Sequence, residues 1–385
     1  LLRATLASLL ADCIDQIDFM EISMNELWTQ HYLRNGKSPD DLKEEFGIRI
    51  KQHPKYPNLY QFHYDQIESS SWRTHNIVRE CRGLILDADK NWGIVTYPFK
   101  RFFNYGEKGA DNIDWYTAKV YEKLDGSLII LYYYDGKWQV ATKGSPDAAG
   151  NVGTSGRVFS EYFWDTFYSS GHHVNDLYTW TNYFFEFCSP ESRVVVDYKK
   201  PEIYLIGKRI IYSTGAPGDE LDITFHDGFN KPKSFPLSNF DQCIHAANQL
   251  NPISSEGFIV VDGWFNRVKI KSPAYVAIHH MKDGFGDRRI IELIKQGEVS
   301  EVLSYFPEYQ EKYEIISSRI TLLGCSIDAE HEKLKGIESQ KEFAQAALAT
   351  KFSAALFSIR KGEVKNGYEF ILSQSVKKIE ETCNG

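Results

Sequence analysis

Several common features are scarce in this chain, and each absence narrows its class. Cysteine is sparse: six residues, Cys13, Cys81, Cys188, Cys243, Cys325 and Cys383, lie scattered with no C-x-x-C pair. That pattern fits neither a zinc cluster nor a disulfide framework and points to reduced thiols in a cytoplasmic protein. No apolar run approaches the roughly 18–20 residues needed to cross a membrane. The opening LLRATLASLLADCIDQIDFM resembles a signal peptide only at first sight. Arg3, Asp12 and Asp15 interrupt it, and its apolar spacing suits an amphipathic helix better. An excess of positive charge is also missing: 44 Lys+Arg stand against 52 Asp+Glu, a net charge of −8. A general nucleic-acid coat protein is therefore disfavoured, and any polyanion must be met by a local basic site. The chain starts at Leu1 rather than methionine, which reads as a trimmed or excised chain.

What is present is ample material for two domains, 385 residues with 14% aromatic content. Up to about residue 277 the chain alternates short β-type runs with turn dipeptides. CRGLILDADKNWGIVTYPF, SLIILYYYDGKWQVATK, YFFEFCSP, RVVVDY, EIYLIGKRII and EGFIVVDGWFNRVKIKS all read as strands or hairpins. Helical stretches interrupt them at the N-terminus, at SGRVFSEYFWDTFYSS and at SNFDQCIHAANQL, where Ser238 is placed to cap the start. After Ser272 the apolar spacing becomes helical. The expectation is α+β: an antiparallel-sheet domain over 1–280, then an all-helical domain over 281–385. The second part carries 15 Lys+Arg and 17 Asp+Glu, so any strong phosphate site belongs to the first.

Within YEKLDGSLIILYYYDGKW, a hairpin turning at Asp135-Gly136, Lys123 stands just before a second Asp-Gly, Asp125-Gly126. It is either a solvated strand end or a nucleophile. In RVKIKS, Lys269 and Lys271 share one strand face, either protecting a sheet edge or gripping phosphate. Glu186 lies between Phe185 and Phe187, where a buried carboxylate demands a partner. Glu256 opens a strand, Arg82 precedes Gly83, Arg101 precedes two phenylalanines, and Lys143 falls in ATKGS. Each signal is weak by itself.

Their order is more specific. RECRG, FFN, EKLDGSL, TKGS, FFEF-x-x-P-x-x-R-V-V, EGFIV and VKIKS-x-x-YV follow one another across residues 79–276. The series resembles the covalent nucleotidyltransferase superfamily, and most closely the phage-type RNA ligase 1 family, which seals RNA breaks using ATP. The resemblance implies a nucleotidyltransferase domain followed by a helical RNA-specificity domain. It implies three steps: Lys123 takes AMP from ATP, AMP passes to an RNA 5′-phosphate, and a 3′-hydroxyl then displaces it. Broken tRNA is the implied substrate, the cytoplasm (of a host cell, for a phage protein) the implied compartment, and oligomeric state stays open.

By the same resemblance, Lys123, Asp125, Gly126, Lys269 and Lys271 form the catalytic set. Arg82, Arg101, Glu122, Lys143, Glu186 and Glu256 join Lys123, Lys269 and Lys271 in holding the nucleotide. Glu186 and Glu256 are the implied ligands for Mg²⁺, with Mn²⁺ able to substitute. Arg101 departs from the family, which usually has lysine there. Lysine attacks only when unprotonated, so Lys269, Lys271, Arg82 and a bound metal are expected to disfavour its charged form. DNA ligases and capping enzymes share K-x-D-G, but usually continue into an OB-fold, where this chain turns helical. A non-catalytic binding module is disfavoured, because each chemically demanding position holds a competent residue. No P-loop G-x-x-x-x-G-K-[ST] occurs, so end phosphorylation falls to another polypeptide or to another part of a larger repair protein.

Overall fold

The computed structural model describes residues 26–66, 68–153, 155–224, 228–280, 286–305 and 307–384. The helix expected over the first twenty residues lies outside them. The chain divides into two compact units, Leu1–His279 and His280–Gly385. The architecture is α+β, with antiparallel sheets in the first unit and helices in the second.

Among the described residues, three sheets build the first unit. One has the order β1-β2-β3-β4, from Ile48–Gln52, Leu59–Tyr64, Arg82–Asp87 and Gly93–Thr96. It buries one face against α1 (Trp28–Arg34), α2 (Pro39–Phe46) and α3 (Asn76–Glu80) through Leu33, Leu42, Phe62 and Leu84. The other two sheets involve β5 (Phe103–Asn104), β6 (Lys119–Lys123), β7 (Ser127–Tyr134), β8 (Lys137–Thr142), β9 (Thr181–Cys188) and β10 (Glu202–Ile210). They are completed by β11 (Glu220–Leu221), β12 (Ser234–Phe235), β13 (Gly257–Val261) and β14 (Arg267–Lys271). Their orders are β11-β10-β9-β7-β8 and β12-β6-β13-β14-β5.

Strand alternation explains the apolar runs. On β7, Ile129 and Leu131 enter the core beneath α4 (Phe159–Ser169), while Leu128, Ile130 and Tyr132 enter the core shared with the first sheet. β9 sorts likewise, Tyr183, Phe185 and Phe187 to one side and Phe184 to the other. Glu186 follows Phe184 on that second face and is the one incompletely buried residue of β9. The β7–β8 hairpin turns at Asp135 and Gly136, whose φ values of 50° and 74° match a primed two-residue turn. Lys123 is not part of that hairpin's sheet. Between β6 and β7 the chain crosses from one sheet to another at Leu124–Gly126.

In the third sheet Val120, Phe258, Val260, Val268 and Ile270 pack on α5 (Phe240–Asn248). The alternate residues therefore face the opposite way, which places Lys269 and Lys271 on one side as expected. β14 lies between β13 and β5, so these lysines do not guard an edge.

Two local expectations are corrected. RVVVDY forms no strand, because the Val195 and Val196 amides donate to the Asp125 carboxylate instead of to a neighbouring strand. The cap of α5 is Asn239, which accepts from the Gln242 amide, while Ser238 donates to the Gln242 side chain. A last helix of this region, α6, spans Pro273–His280.

The second unit contains α7 (Asp287–Gln296), α8 (Val299–Tyr305), α9 (Gln310–Leu334), α10 (Gln340–Leu348), α11 (Ser353–Arg360), α12 (Gly367–Ser373) and α13 (Val376–Asn384). The long α9 buries Ile316, Ile320, Gly324 and Ile327, a single stripe at helical spacing. No helix among the described residues is long and apolar enough to cross a membrane.

Candidate active site

The register of three strands sets out the site in rows. Gly257 pairs with Lys123 on one side and Lys271 on the other, and Ile259 likewise stands between Tyr121 and Lys269. Cross-strand neighbours on one face lie about 5 Å apart, so the lysines converge because the pleat aligns them. The first row has glycine at its centre. Its φ is 151°, and a Cβ there would lie 2.2 Å from the Ile270 carbonyl oxygen. The preceding residue supplies the charge that joins the row. Glu256 Oε2 accepts from Lys123 Nζ at 2.6 Å, and Glu256 Oε1 lies 3.1 Å from Lys271 Nζ.

The charge closest to Lys123 is thus the Glu256 carboxylate, with the expected cations Lys269, Lys271 and Arg82 in the same cleft.

Lys123 and Lys271 line a cleft of about 420 Å³ that also includes Arg82, Arg101, Glu122, Glu186 and Lys269, with Glu256 behind the two lysines it bridges. Glu186 Oε1 accepts the Gly126 amide at 3.1 Å. Burial pushes the Glu186 carboxyl up to about 7, against the pull of Lys123 and Arg82 and with help from the Glu256 charge. Gly126 permits this approach, because a Cβ there would lie 2.5 Å from the Phe187 carbonyl oxygen and 3.0 Å from Glu186 Cγ.

The basic groups gather around two aromatic rings. The Arg82 guanidinium lies 5.6 Å and Lys269 Nζ 5.5 Å from the centre of the Phe102 ring. Tyr64 has the Arg101 guanidinium 4.3 Å and Lys143 Nζ 4.5 Å from its ring centre. Burial raises the Tyr64 phenol, but Lys143, Arg101, Arg82 and Lys269 together outweigh it and bring it down to about 8. Arg82 Nη1 and Arg101 Nη1 are buried with no hydrogen-bond partner among the described residues. Guanidinium groups so placed fit an anion with several oxygens. Lys143 takes part through the Tyr64 ring and does not itself line the cleft.

Asp125 is different. Its carboxylate is buried and accepts Val195 N at 3.0 Å, Val196 N at 2.9 Å and the Tyr275 hydroxyl at 2.9 Å. It fastens the loop after β9 and α6 to the turn that follows Lys123. Asp125 does not line the cleft.

Sequence reasoning missed three contributors. Arg267 was findable, being on the same strand face as Lys269. It pairs with Glu220 and sits 4.2 Å over the Phe99 ring. Tyr275 falls within the quoted VKIKS-x-x-YV string but offered no sign of its role. Tyr64 had no local signal, since its importance comes from groups brought from four other segments.

The donor set also fits a hard divalent cation: the Glu186 carboxyl lines the cleft and Glu256 lies beside it on Lys123 and Lys271, with phosphate oxygens to complete a shell. Among the described residues no cluster of three or more His, Cys, Asp or Glu forms an all-protein cage.

The family model described as RNA ligase matches residues 80–275, half of the chain. An RNA ligase of Rhodothermus phage RM378 is 27% identical over 331 residues, covering 68% of this chain and 74% of the relative. A protein of Autographa californica nuclear polyhedrosis virus, named as a candidate bifunctional polynucleotide kinase/RNA ligase, is 29% identical over 305 residues. That match covers 73% of this chain and 42% of the viral protein. Among solved structures, an archaeal ATP-dependent RNA ligase is similar with a TM-score of 0.42 and 11% identity, over 74% of this chain and 76% of that one. With Lys123, Glu256 and Lys271 in one row inside the matched segment, the chain belongs to the phage-type RNA ligase family.

Proposed function

We propose that this chain joins RNA 5′-phosphate and 3′-hydroxyl ends, using ATP, through a Lys123–AMP intermediate. The observation that carries the reading is the Lys123–Glu256–Lys271 bridge, whose two lysines line a cleft with two orphaned guanidinium nitrogens. One ammonium proton of Lys123 passes to Glu256 Oε2, 2.6 Å away, and the freed amine attacks the α-phosphorus of ATP. A P–N bond forms, and the bond to the bridging oxygen breaks to release pyrophosphate. Lys269 and Lys271 hold the α-phosphate while Arg82 and Arg101 hold the oxygens that depart. AMP then moves to the RNA 5′-phosphate, and a 3′-hydroxyl displaces it.

Glu186 and Glu256 would hold Mg²⁺, or Mn²⁺ in its place, which when bound neutralises charge on the phosphate oxygens. Asp125 and Gly126 keep Lys123 at the cleft edge. We assign RNA selection to the helical second unit, with broken tRNA as the substrate that the family resemblance favours. The cytoplasm is the compartment supported by the free thiols Cys81, Cys188, Cys243, Cys325 and Cys383. The partial coverage of the baculovirus protein supports a second reading, in which this chain is the ligase portion of a larger repair protein.

The test is incubation with ATP labelled at the α-phosphate and a divalent cation. Label that survives denaturation and is absent from Lys123→Ala supports the reading, as does sealing of single-stranded RNA in preference to nicked duplex DNA. Unlabelled wild-type protein contradicts it.

A further inference from the structure

Two aromatic side chains at the far end of the cleft are almost entirely in water. Tyr116 is 97% exposed and Trp264 is 79% exposed. Neither ring touches another ring among the described residues. Scattered exposed apolar groups are ordinary, but these two belong to a single built feature.

Their loops are stitched together. The Gly263 amide donates to Thr117 Oγ1 at 3.0 Å, and the Asp114 amide donates to Asp262 Oδ2 at 3.2 Å. The Asp262 carboxylate is 3% exposed and also accepts Trp264 N, Asn266 N and Asn266 Nδ2, at 2.9, 2.9 and 3.0 Å. Asp114 in turn accepts the Tyr116 amide at 3.0 Å. A buried carboxylate with four donors fixes the backbone on both sides, so the rings stand on a rigid support. Between Trp264 and Asn266, Phe265 adopts φ 62°, a left-handed conformation uncommon for an aromatic residue. Such strain persists where the surroundings enforce it, and it concentrates at binding sites.

The support is continuous with the catalytic cleft: Thr117, Lys119, Asp262, Gly263 and Phe265 line the same cavity as Lys123. Lys119 is four residues along β6 from Lys123 and pairs with Val261, just before the Trp264 loop. Four strand residues span roughly 13 Å. A strand of several nucleotides reaches that far from the sealed bond, whereas a short end group does not. Charge here does not suit a phosphate-binding role, since Lys119 is already paired with Asp222 at 2.5 Å and Asp114 is adjacent. Rigid exposed rings without free cations suit the faces of unpaired bases.

We propose that Tyr116 and Trp264 form a stacking platform for unpaired bases of the RNA substrate, several nucleotides away from the reacting phosphate. This rests on the RNA ligase reading and adds a base-contacting site outside the chemistry.

The experiment uses the full chain and a fluorescein-labelled single-stranded RNA 12-mer, with Tyr116→Ala, Trp264→Ala and the double variant. Stacking losses of the usual size raise Kd about tenfold for each single variant. The dependence of Kd on salt should keep its slope, because no phosphate contact is removed. Replacing the bases distal to the joined end by abasic sites should weaken binding to the wild type and leave the double variant little changed. Labelling of Lys123 by ATP should be equal in all forms, which also reports correct folding. The platform is overturned if the double variant binds the 12-mer as tightly as wild type, if the salt slope falls, or if labelling by ATP is what declines. Absence of labelling in the wild type would instead overturn the ligase reading itself.

Discussion

Glu256 Oε2 stands 2.6 Å from Lys123 Nζ, so the lysine proposed as nucleophile is held by the group best placed to accept its proton. The same carboxylate reaches Lys271 at 3.1 Å, which keeps it central in the row.

Glu256→Gln keeps the shape and removes the charge. General-base removal typically costs about 10²–10⁴-fold. Formation of Lys123–AMP, followed by single-turnover labelling, should slow by at least about 10²-fold. Transfer from pre-adenylylated RNA should suffer less, because Lys123 need not lose a proton in that step. Equal loss in both assays would show that Glu256 acts only in holding the fold.

The raised carboxyl of Glu186 makes a pH prediction with a definite sign. Below about pH 7 it carries a proton, and above it the carboxylate is free to ligate a cation. A raised acid pKa means the required anion is lost as pH falls, so apparent Mn²⁺ affinity should drop by roughly tenfold per unit below pH 7 and level off above it. Calorimetric titration at several pH values checks this. In Glu186→Gln the break near pH 7 should vanish.

Tyr64 reports the cations around it. Its phenol is brought to about 8, so tyrosinate absorbance should appear near pH 8 and be missing in Tyr64→Phe. Pyrophosphate bound among Arg82, Arg101 and Lys269 would offset those charges, and the step should then move to higher pH. A step that ignores pyrophosphate would place the anion elsewhere.

Asp125→Ala leaves two loop amides and a buried phenol without their acceptor. Losing hydrogen bonds to a charged group should destabilise the first unit by about 2–4 kcal/mol. Tyr275→Phe removes only one of them and should cost about 1–2 kcal/mol. Denaturant unfolding of each variant gives the comparison, and indifference to Asp125→Ala would refute the fastening role.

Much of this site was legible because it lies on strands. Alternation told which residues of RVKIKS share a face, and the Asp-Gly at 135–136 marked its hairpin. The partner of Lys123 was not legible, since Glu256 lies 133 positions away and only sheet register brings them together. RVVVDY failed as a strand for a related reason. Its β-branched content was right, but Asp125 captured its amides from outside the segment. Tyr64 shows the same limit: its character is set by Arg82, Arg101, Lys143 and Lys269, none of them near it in sequence. The N-cap of α5 was missed by a single residue, which local pattern does not resolve when Ser238 and Asn239 adjoin.

The most direct test is intact-mass and peptide mass spectrometry of the purified chain after incubation with ATP and Mg²⁺. The account predicts a mass gain of one AMP, located on Lys123 and lost on adding pyrophosphate or RNA bearing a 5′-phosphate. An unmodified chain, or AMP on Lys269 or Lys271 instead, would contradict it.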